Sequence, residues 1–416
     1  MNPKPVFSLI AATALLSAAL SAQAQSTKSI TFWVRAADQG FVDPLVKAYN
    51  AKGGTQVKLT VIPQDDFVTK FGTAVAGGNP PDVVAVDLVF MPAFAKSGQM
   101  TDMTAYYKGL PFAKSLSPSH IRLATFENKV YGVPFSAESS VLIYNKDLFT
   151  KAGLDPNKPP KTWAEIEAAA KKIKALGDGN YGYYFSGSCA GCNIFTFAPM
   201  IWAAGGDILN AQGTAATVDT PAVRAALGFY KRLWDQKLMP PGAKTDNGAN
   251  FFSAFATGKI GMVGSGAFAI GNLKKSYPNL KFGLAPLPGQ TGGVSSFAGG
   301  DLIAIPVGSK NVQAAQEFIS WCLSADVQVQ QFAKNGSIPV RSDLASNEYS
   351  KLDTRYVLVS KLMDKGRTPY TLRYNELIND ANGPWLAMIQ DSVFGGDVDA
   401  AVKKAQARFV QILGGK

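Results

Sequence analysis

Between residues 29 and 86 short β-branched runs alternate with helical patterns, and this alternation leaves few folds open. Residues 29–34, 56–62 and 82–86 read as strands, and residues 42–50 and 67–76 as the helices between them. Strands separated by helices pair in parallel and are covered by those helices, so the spacing predicts a layered α/β sheet. The turn Gly77-Gly78-Asn79-Pro80-Pro81 cannot continue a helix and sets up the strand that follows. In such sheets ligands sit beyond the carboxyl ends of the strands, which directs attention to the segments after Trp33, Ile62 and Val86.

The N-terminus fixes the compartment. Lys4 precedes an uncharged apolar run over residues 6–20 that ends in Ala22-Gln23-Ala24, the pattern of a secretory signal with its cleavage site. The run is shorter than the ~20 residues of a membrane-spanning helix. Residues 1–24 are therefore expected to be removed near Ala24. With no cysteine there to carry a lipid, a soluble, free periplasmic protein is expected. The remaining chain suffices for two domains of roughly 150–200 residues each, and 47% hydrophobic residues support sizeable cores. The formal charge of +11 comes from scattered Lys and Arg rather than a basic block, which argues against nucleic-acid binding.

A second unit opens after Gly132-Val133-Pro134. Its clearest signal is Pro159-Pro160-Lys161-Thr162-Trp163-Ala164-Glu165, where Thr162 and Glu165 form a capping box. Ile166, Ala169, Ala170 and Ile173 supply the buried stripe and Gly177 ends the helix. Residues 222–234 and 312–323 also read as helices, residues 260–263, 282–284 and 302–305 as strands, and the chain from about residue 349 as mostly helical. Cys189 and Cys192 lie in a glycine-rich loop, where an oxidising compartment favours a local disulfide over a redox or metal role. Zinc would need further ligands, but the sole histidine is His120, in a loop-like setting read as surface, and Cys322 falls on an apolar helical stripe as a core thiol. No metal or cofactor is expected.

Enzyme chemistry finds little support. There is no G-x-S-x-G, H-E-x-x-H or P-loop, and the adjacent acids Asp65-Asp66 read as a solvated turn. Gly264-Ser265-Gly266-Ala267-Phe268-Ala269 matches the weak form of a dinucleotide fingerprint, but the next strand, toward Pro286-Leu287-Pro288, brings no acid to hold a ribose. A carbohydrate site, by contrast, needs aromatic platforms beside acids and amides. Trp33, Phe90, Phe195, Trp202, Trp234, Phe268 and Trp385 are candidate platforms, with Phe268 and Trp385, beside glycines, standing highest.

In order along the chain, Ile30-Thr31-Phe32-Trp33, Pro81-Asp82-Val83-Val84, Tyr131-Gly132-Val133-Pro134, Leu142-Ile143-Tyr144-Asn145-Lys146, Thr162-Trp163, Ala203-Ala204-Gly205-Gly206, Phe255-Ala256-Thr257-Gly258-Lys259 and Ser309-Lys310-Asn311 resemble the family 1 extracellular solute-binding proteins, among them the maltose receptors. The resemblance covers nearly all of the chain after the signal. It implies a two-lobed periplasmic-binding-protein fold of type II with three hinge crossings, near residues 134–140, 296–301 and 330–338. The N-terminal lobe would comprise residues 25–135 and 298–332, and the C-terminal lobe residues 138–296 and 336–416. The implied function is a non-enzymatic monomeric receptor. It would trap a mono- or oligosaccharide by lobe closure and deliver it to the permease subunits of an ATP-driven importer. A non-sugar solute such as an organophosphate, which Arg35 leaves open, and an exported glycan-cleaving enzyme are the alternatives. The resemblance carries over Glu138 as an acidic sugar contact, Phe195 as an aromatic one and Trp385 as a stacking face. Phe268 falls where the maltose receptors stack a tryptophan, with Ser265 and Gly266 just before it. Asp38, Gln39, Gln64, Asp65 and Asp87 from the N-lobe loops, Trp202, and Gly300 and Asp301 complete the expected ligand-binding set.

Overall fold

The computed structural model describes residues 28–63, 66–250 and 252–414. The expected signal and its cleavage site, together with Gln64 and Asp65, lie outside the described residues.

The strands that frame the molecule are β1 (Ser29–Arg35), β2 (Gln56–Ile62), β3 (Val83–Asp87), β4 (Val133–Asn145), β5 (Tyr181–Tyr184), β6 (Ile260–Gly266), β7 (Phe282–Ala285) and β8 (Val294–Ala304). The helices used below are α1 (Gln39–Ala51), α2 (Phe67–Ala76), α3 (Pro118–Ala124), α4 (Trp163–Lys174), α5 (Ala190–Thr196), α6 (Phe268–Ser276), α7 (Val312–Cys322) and α8 (Pro384–Val393). As the alternation predicts, β1 pairs in parallel with β2 on one side and β3 on the other, and α1 and α2 are the crossovers. Ile30, Phe32 and Val34 are buried at alternate positions of β1, and every residue from Val83 to Val86 is buried, as suits a strand covered on both faces. Asp82 ties this half together. One carboxylate oxygen accepts from the Thr31 amide (2.9 Å) and hydroxyl (3.1 Å), the other from Ser309 Oγ (3.2 Å) and Asn311 Nδ2 (3.0 Å). Two motifs far apart in sequence thus meet, joining β1, the entrance of β3 and the start of α7.

The sheet runs in the order β2-β1-β3-β8-β4-β6-β5, with β7 also pairing on β4. Its two long strands belong to both halves. β4 pairs with β8 from Val133 to Ser139 and with β6 from Ser140 to Tyr144. β8 meets β3 only through Asp301–Ala304, while its earlier residues lie toward the second half. The register between β8 and β4 shifts at Asp301/Leu302. Gly300 sits at φ +119°, and a Cβ there would come 2.1 Å from the Ser136 carbonyl oxygen, so only glycine lets the strands approach at this point. A third link follows α7, where the helical stretch 328–335 ends at Gly336 (φ +83°) and Ile338 bridges back to Ala137. The mixed sheet with chain passages between its halves is the two-lobed architecture expected.

In the second half, Thr162 caps α4 by accepting from the Glu165 amide at 3.2 Å. The capping box is only half formed, because the Glu165 carboxylate reaches one residue further back and accepts from the Lys161 amide (2.5 Å). Trp163 stacks on Phe229 and donates to the Pro288 carbonyl (2.8 Å), and Ile166, Ala169, Ala170 and Ile173 are buried as the stripe predicts. Cys322 is fully buried and Cys189 is bonded to Cys192. The C-terminal part is helical but broken over residues 364–373 by turns and a short strand, Gly366–Arg367, that pairs with β8.

His120 departs from expectation. It lies on α3, fully buried, with Nδ1 3.0 Å from Ser117 Oγ and Nε2 3.1 Å from the Ser136 carbonyl oxygen. Burial pushes its pKa down to about 4, so it is a neutral ring that donates through Nε2 and braces β4 from behind. Its two serine neighbours suggested a loop, but the preceding Pro118 opens a helix.

Candidate functional site: a cleft across the two halves of the sheet

A cavity of about 850 Å³ opens where the sheet passes from one half to the other. Its N-lobe wall is the end of β1, the first turn of α1 and the end of β3, which present Arg35, Asp38, Phe41 and Asp87. These are two of the strand ends singled out from the sequence. The floor is the passage itself, with Ser136 and Glu138 from β4 and Phe297, Gly300 and Asp301 from β8. The C-lobe wall is made by α5, carrying Ile194 and Phe195, and by α6, carrying Phe268, Asn272 and Lys275 on one face. The spacing of those three, four and three residues, is that of one helical stripe.

The N-lobe wall is ionic and internally matched. The Arg35 guanidinium bonds Asp87 at 3.1 Å, lies 3.5 Å from Asp38, and forms a close charged pair with Asp301. Asp301 is further held by the Ser136 hydroxyl (3.0 Å), whose oxygen in turn accepts from the Asp301 amide (3.0 Å). Burial works against the Arg35 charge, but Asp301, Asp87 and Asp38 outweigh it and hold its pKa above the ordinary value. Burial, then the like charge of Asp301, pushes Asp38 above the ordinary carboxylate range despite Arg35. Asp87 is raised too, by burial first, with Arg35 partly offsetting it.

The opposite wall is aromatic. Phe195 packs on Phe297 (5.5 Å between ring centroids) and faces Phe268 (6.5 Å), which is 37% exposed, an open ring face rather than a core side chain. Gly266 lies beneath both rings. A Cβ there would come 2.6 Å from Phe268 and 2.8 Å from Phe195, so the glycine is needed for the rings to sit where they do. Glu138 joins the walls, accepting from the Phe268 amide at 3.3 Å. Burial lifts its carboxyl to about 8, with the Phe268 and Ala267 amides offsetting only part of the effect. At neutral pH it is protonated and can both donate and accept a hydrogen bond.

Asp38, Asp87, Glu138, Phe195, Phe268, Gly300 and Asp301 are thus brought together. Gly266 and Trp202 act from behind: Trp202 stacks on Phe297 (6.2 Å) and donates to Asp207 (2.9 Å). Ser265 is buried in the ladder opposite Val141, and Gln39 turns to Asp43 (3.2 Å), so neither lines the cavity. Trp385 is corrected outright. It is fully buried, packed against Phe197 in the C-lobe core, because Pro384, Leu386, Met388 and Ile389 around it on α8 are buried as well. Its neighbouring glycine marked a helix start, not an open face. Of the residues missed, Asn272 and Lys275 follow from Phe268 by helical spacing, and Phe297 precedes Gly299-Gly300-Asp301. Tyr374, which reaches the cavity from the start of the helical turn over Asn375–Asn379 and packs edge-on against Phe90, carries no sequence signal.

Among the described residues no group of three or more His, Cys, Asp or Glu is arranged to hold a metal ion, and no helix is long and apolar enough to cross a membrane. The cleft between two lobes, floored by the strands that connect them, is the place for a small solute and defines a solute-binding protein. Comparison with known proteins gives the family: the chain belongs to the bacterial extracellular solute-binding proteins, whose pattern matches residues 34–329. A Brucella abortus protein that bears only the general name of a binding protein is 29% identical over 411 residues, 97% of each chain. The diacetylchitobiose binding protein DasA of Streptomyces coelicolor is 28% identical over 329 residues, 77% of this chain and 75% of that one. In three dimensions the chain is similar to an ABC transporter solute-binding protein from Thermotoga lettingae bound with alpha-D-tagatose, at a TM-score of 0.81 and 26% identity, over 93% of this chain and 100% of that one.

Proposed function

We propose that the protein captures a neutral mono- or oligosaccharide in this cleft outside the cytoplasm, closes its lobes around it and delivers it intact to the permease of an ABC importer. The observation that carries this reading is the pairing of an exposed aromatic wall, Phe195 and Phe268, with a facing wall of hydrogen-bonding carboxyls. A pyranose offers apolar C–H faces to the rings and hydroxyls around its edge to the acids. The cavity volume accommodates more than one sugar ring. An organophosphate fits less well, because the Arg35 guanidinium already faces three carboxyl groups and the wall as a whole is acidic. The sugar-binding relatives support the same class, as does the solved neighbour with tagatose. Residues 134–140, 296–301 and 330–338 would be the hinge, the chain working as a monomer.

A thermal-shift screen over mono- and oligosaccharides, with glycerol phosphodiesters as a second set, tests the reading, because a ligand that binds only the folded state raises Tm. A sugar should raise Tm and be recovered unchanged. A response confined to the phosphodiesters, or new reducing ends in the recovered sugar, would overturn it.

A further inference from the structure

The Cys189–Cys192 bridge spans Gly191, which lines the same cleft, and we infer that it is a positioning device for the aromatic wall, so that solute affinity depends on the redox state of these two cysteines. This rests on the reading of the cleft as the solute site. The bridge closes the first turn of α5, and that helix carries Gly191, Ile194 and Phe195 to the cavity. α5 has only seven residues and a glycine in its first turn, whereas helices shorter than ~12 residues are marginal unless held from outside.

The holding contacts converge on the bridge. Asn193 donates to the Ser186 carbonyl (2.9 Å) and the Cys189 carbonyl (2.8 Å), and Thr196 donates to the Cys192 carbonyl (2.8 Å). Ser186 is fixed by Asp246 (2.5 Å), which also orders the loop to Gly248 by accepting from its amide at 3.3 Å. A Cβ on Gly248 would come 3.0 Å from both sulfurs, so this loop packs directly on the bridge. Phe195, one turn on from Cys192, thereby inherits its place over Gly266 and against Phe297 from the disulfide. Neither cysteine is fully buried, so a small dithiol can reach the bond. Such a reductant supplies two electrons and two protons: the S–S bond breaks, both sulfurs become thiols, and the dithiol closes to its own cyclic disulfide. Cys322, buried in α7, takes no part.

The full chain after signal removal would be compared oxidised, reduced with dithiothreitol, and as the Cys189→Ser/Cys192→Ser variant, by calorimetry with whichever sugar the screen selects and by hydrogen exchange without any solute. Reduction is expected to weaken binding about three- to ten-fold, the worth of one well-placed aromatic contact. It should also speed exchange over residues 190–196 while leaving α1 unchanged. In a Phe195→Ala background the effect of reduction on affinity should shrink, which a merely structural role would not produce. Equal affinity in the oxidised and fully reduced proteins would overturn the inference. Should no sugar bind the oxidised protein, the functional reading fails instead, and the positioning role is then decided by exchange alone, with unchanged rates over residues 190–196 refuting it.

Discussion

Phe268 and Trp385 show how differently two aromatic side chains with the same sequence surroundings can act. Phe268 presents an open face to the cleft, so Phe268→Ala should cost about 1–3 kcal/mol of binding free energy by titration calorimetry, at nearly unchanged Tm. Trp385 is sealed in the core, and Trp385→Ala should instead cost about 3–5 kcal/mol of stability in chemical denaturation, through the cavity it leaves. A reversed pattern would exchange their roles. Both sit beside glycines, and the family resemblance gives both a place at the ligand. What separates them is whether the rest of the helix turns that face to the cleft or to the core. Glu138 adds a pH signature. Its pKa is about 8 in the folded protein against an ordinary carboxyl value near 4, so the folded state holds a proton that the unfolded state releases. That stability is complete below about pH 4 and is lost as pH rises toward 8, by at most about 1.4 kcal/mol per pH unit. Asp38, also raised by burial, acts in the same direction. The Tm of Glu138→Gln should therefore decline less steeply between pH 6 and 8, and an equally steep decline would show that Glu138 does not titrate there.

The elements of the first half were legible because each follows from a local rule: alternation in β1, a covered apolar run in β3, proline and glycine between α2 and β3. The floor of the cleft was less so. β8 runs over eleven residues through Gly299 and Gly300, which on their own suggest a turn, and only pairing with Glu138 and Ala137 of β4 makes them strand. His120 was misread for a related reason, since burial against β4 is a tertiary fact that its neighbours in sequence do not record. Gly300→Ala tests the strand directly. It forces an L side chain into a left-handed conformation and against the Ser136 carbonyl, so a loss of about 1–3 kcal/mol of stability is expected in urea unfolding. A neutral outcome would mean that β4 and β8 can part at this point without penalty.

For the protein as a whole, closure is expected to reduce the radius of gyration when a saturating sugar is added, measured by small-angle X-ray scattering, because contacts to both walls favour the state in which the walls are near. A bound sugar that leaves the scattering curve unchanged would mean that the cleft accepts solute without lobe motion. The lobe organisation could be inferred from a resemblance spread along most of the chain. The ionic wall could not, because Arg35, Asp87 and Asp301 are brought together across more than two hundred positions of sequence, and nothing at any one of them announces the other two.

Glu138 and Asp301 stand on β4 and β8, the same two strands that carry the chain between the lobes. On the proposed function, solute recognition and lobe motion would share one stretch of backbone. A lineage acquiring a new diet could vary Asn272 and Lys275, which touch the cavity from the exposed face of α6 and pair with no strand. A change on β4 or β8 would retune at once which solute is held and how readily it is let go. Diversification of cargo should accordingly begin on the C-lobe helices and reach the shared strands last.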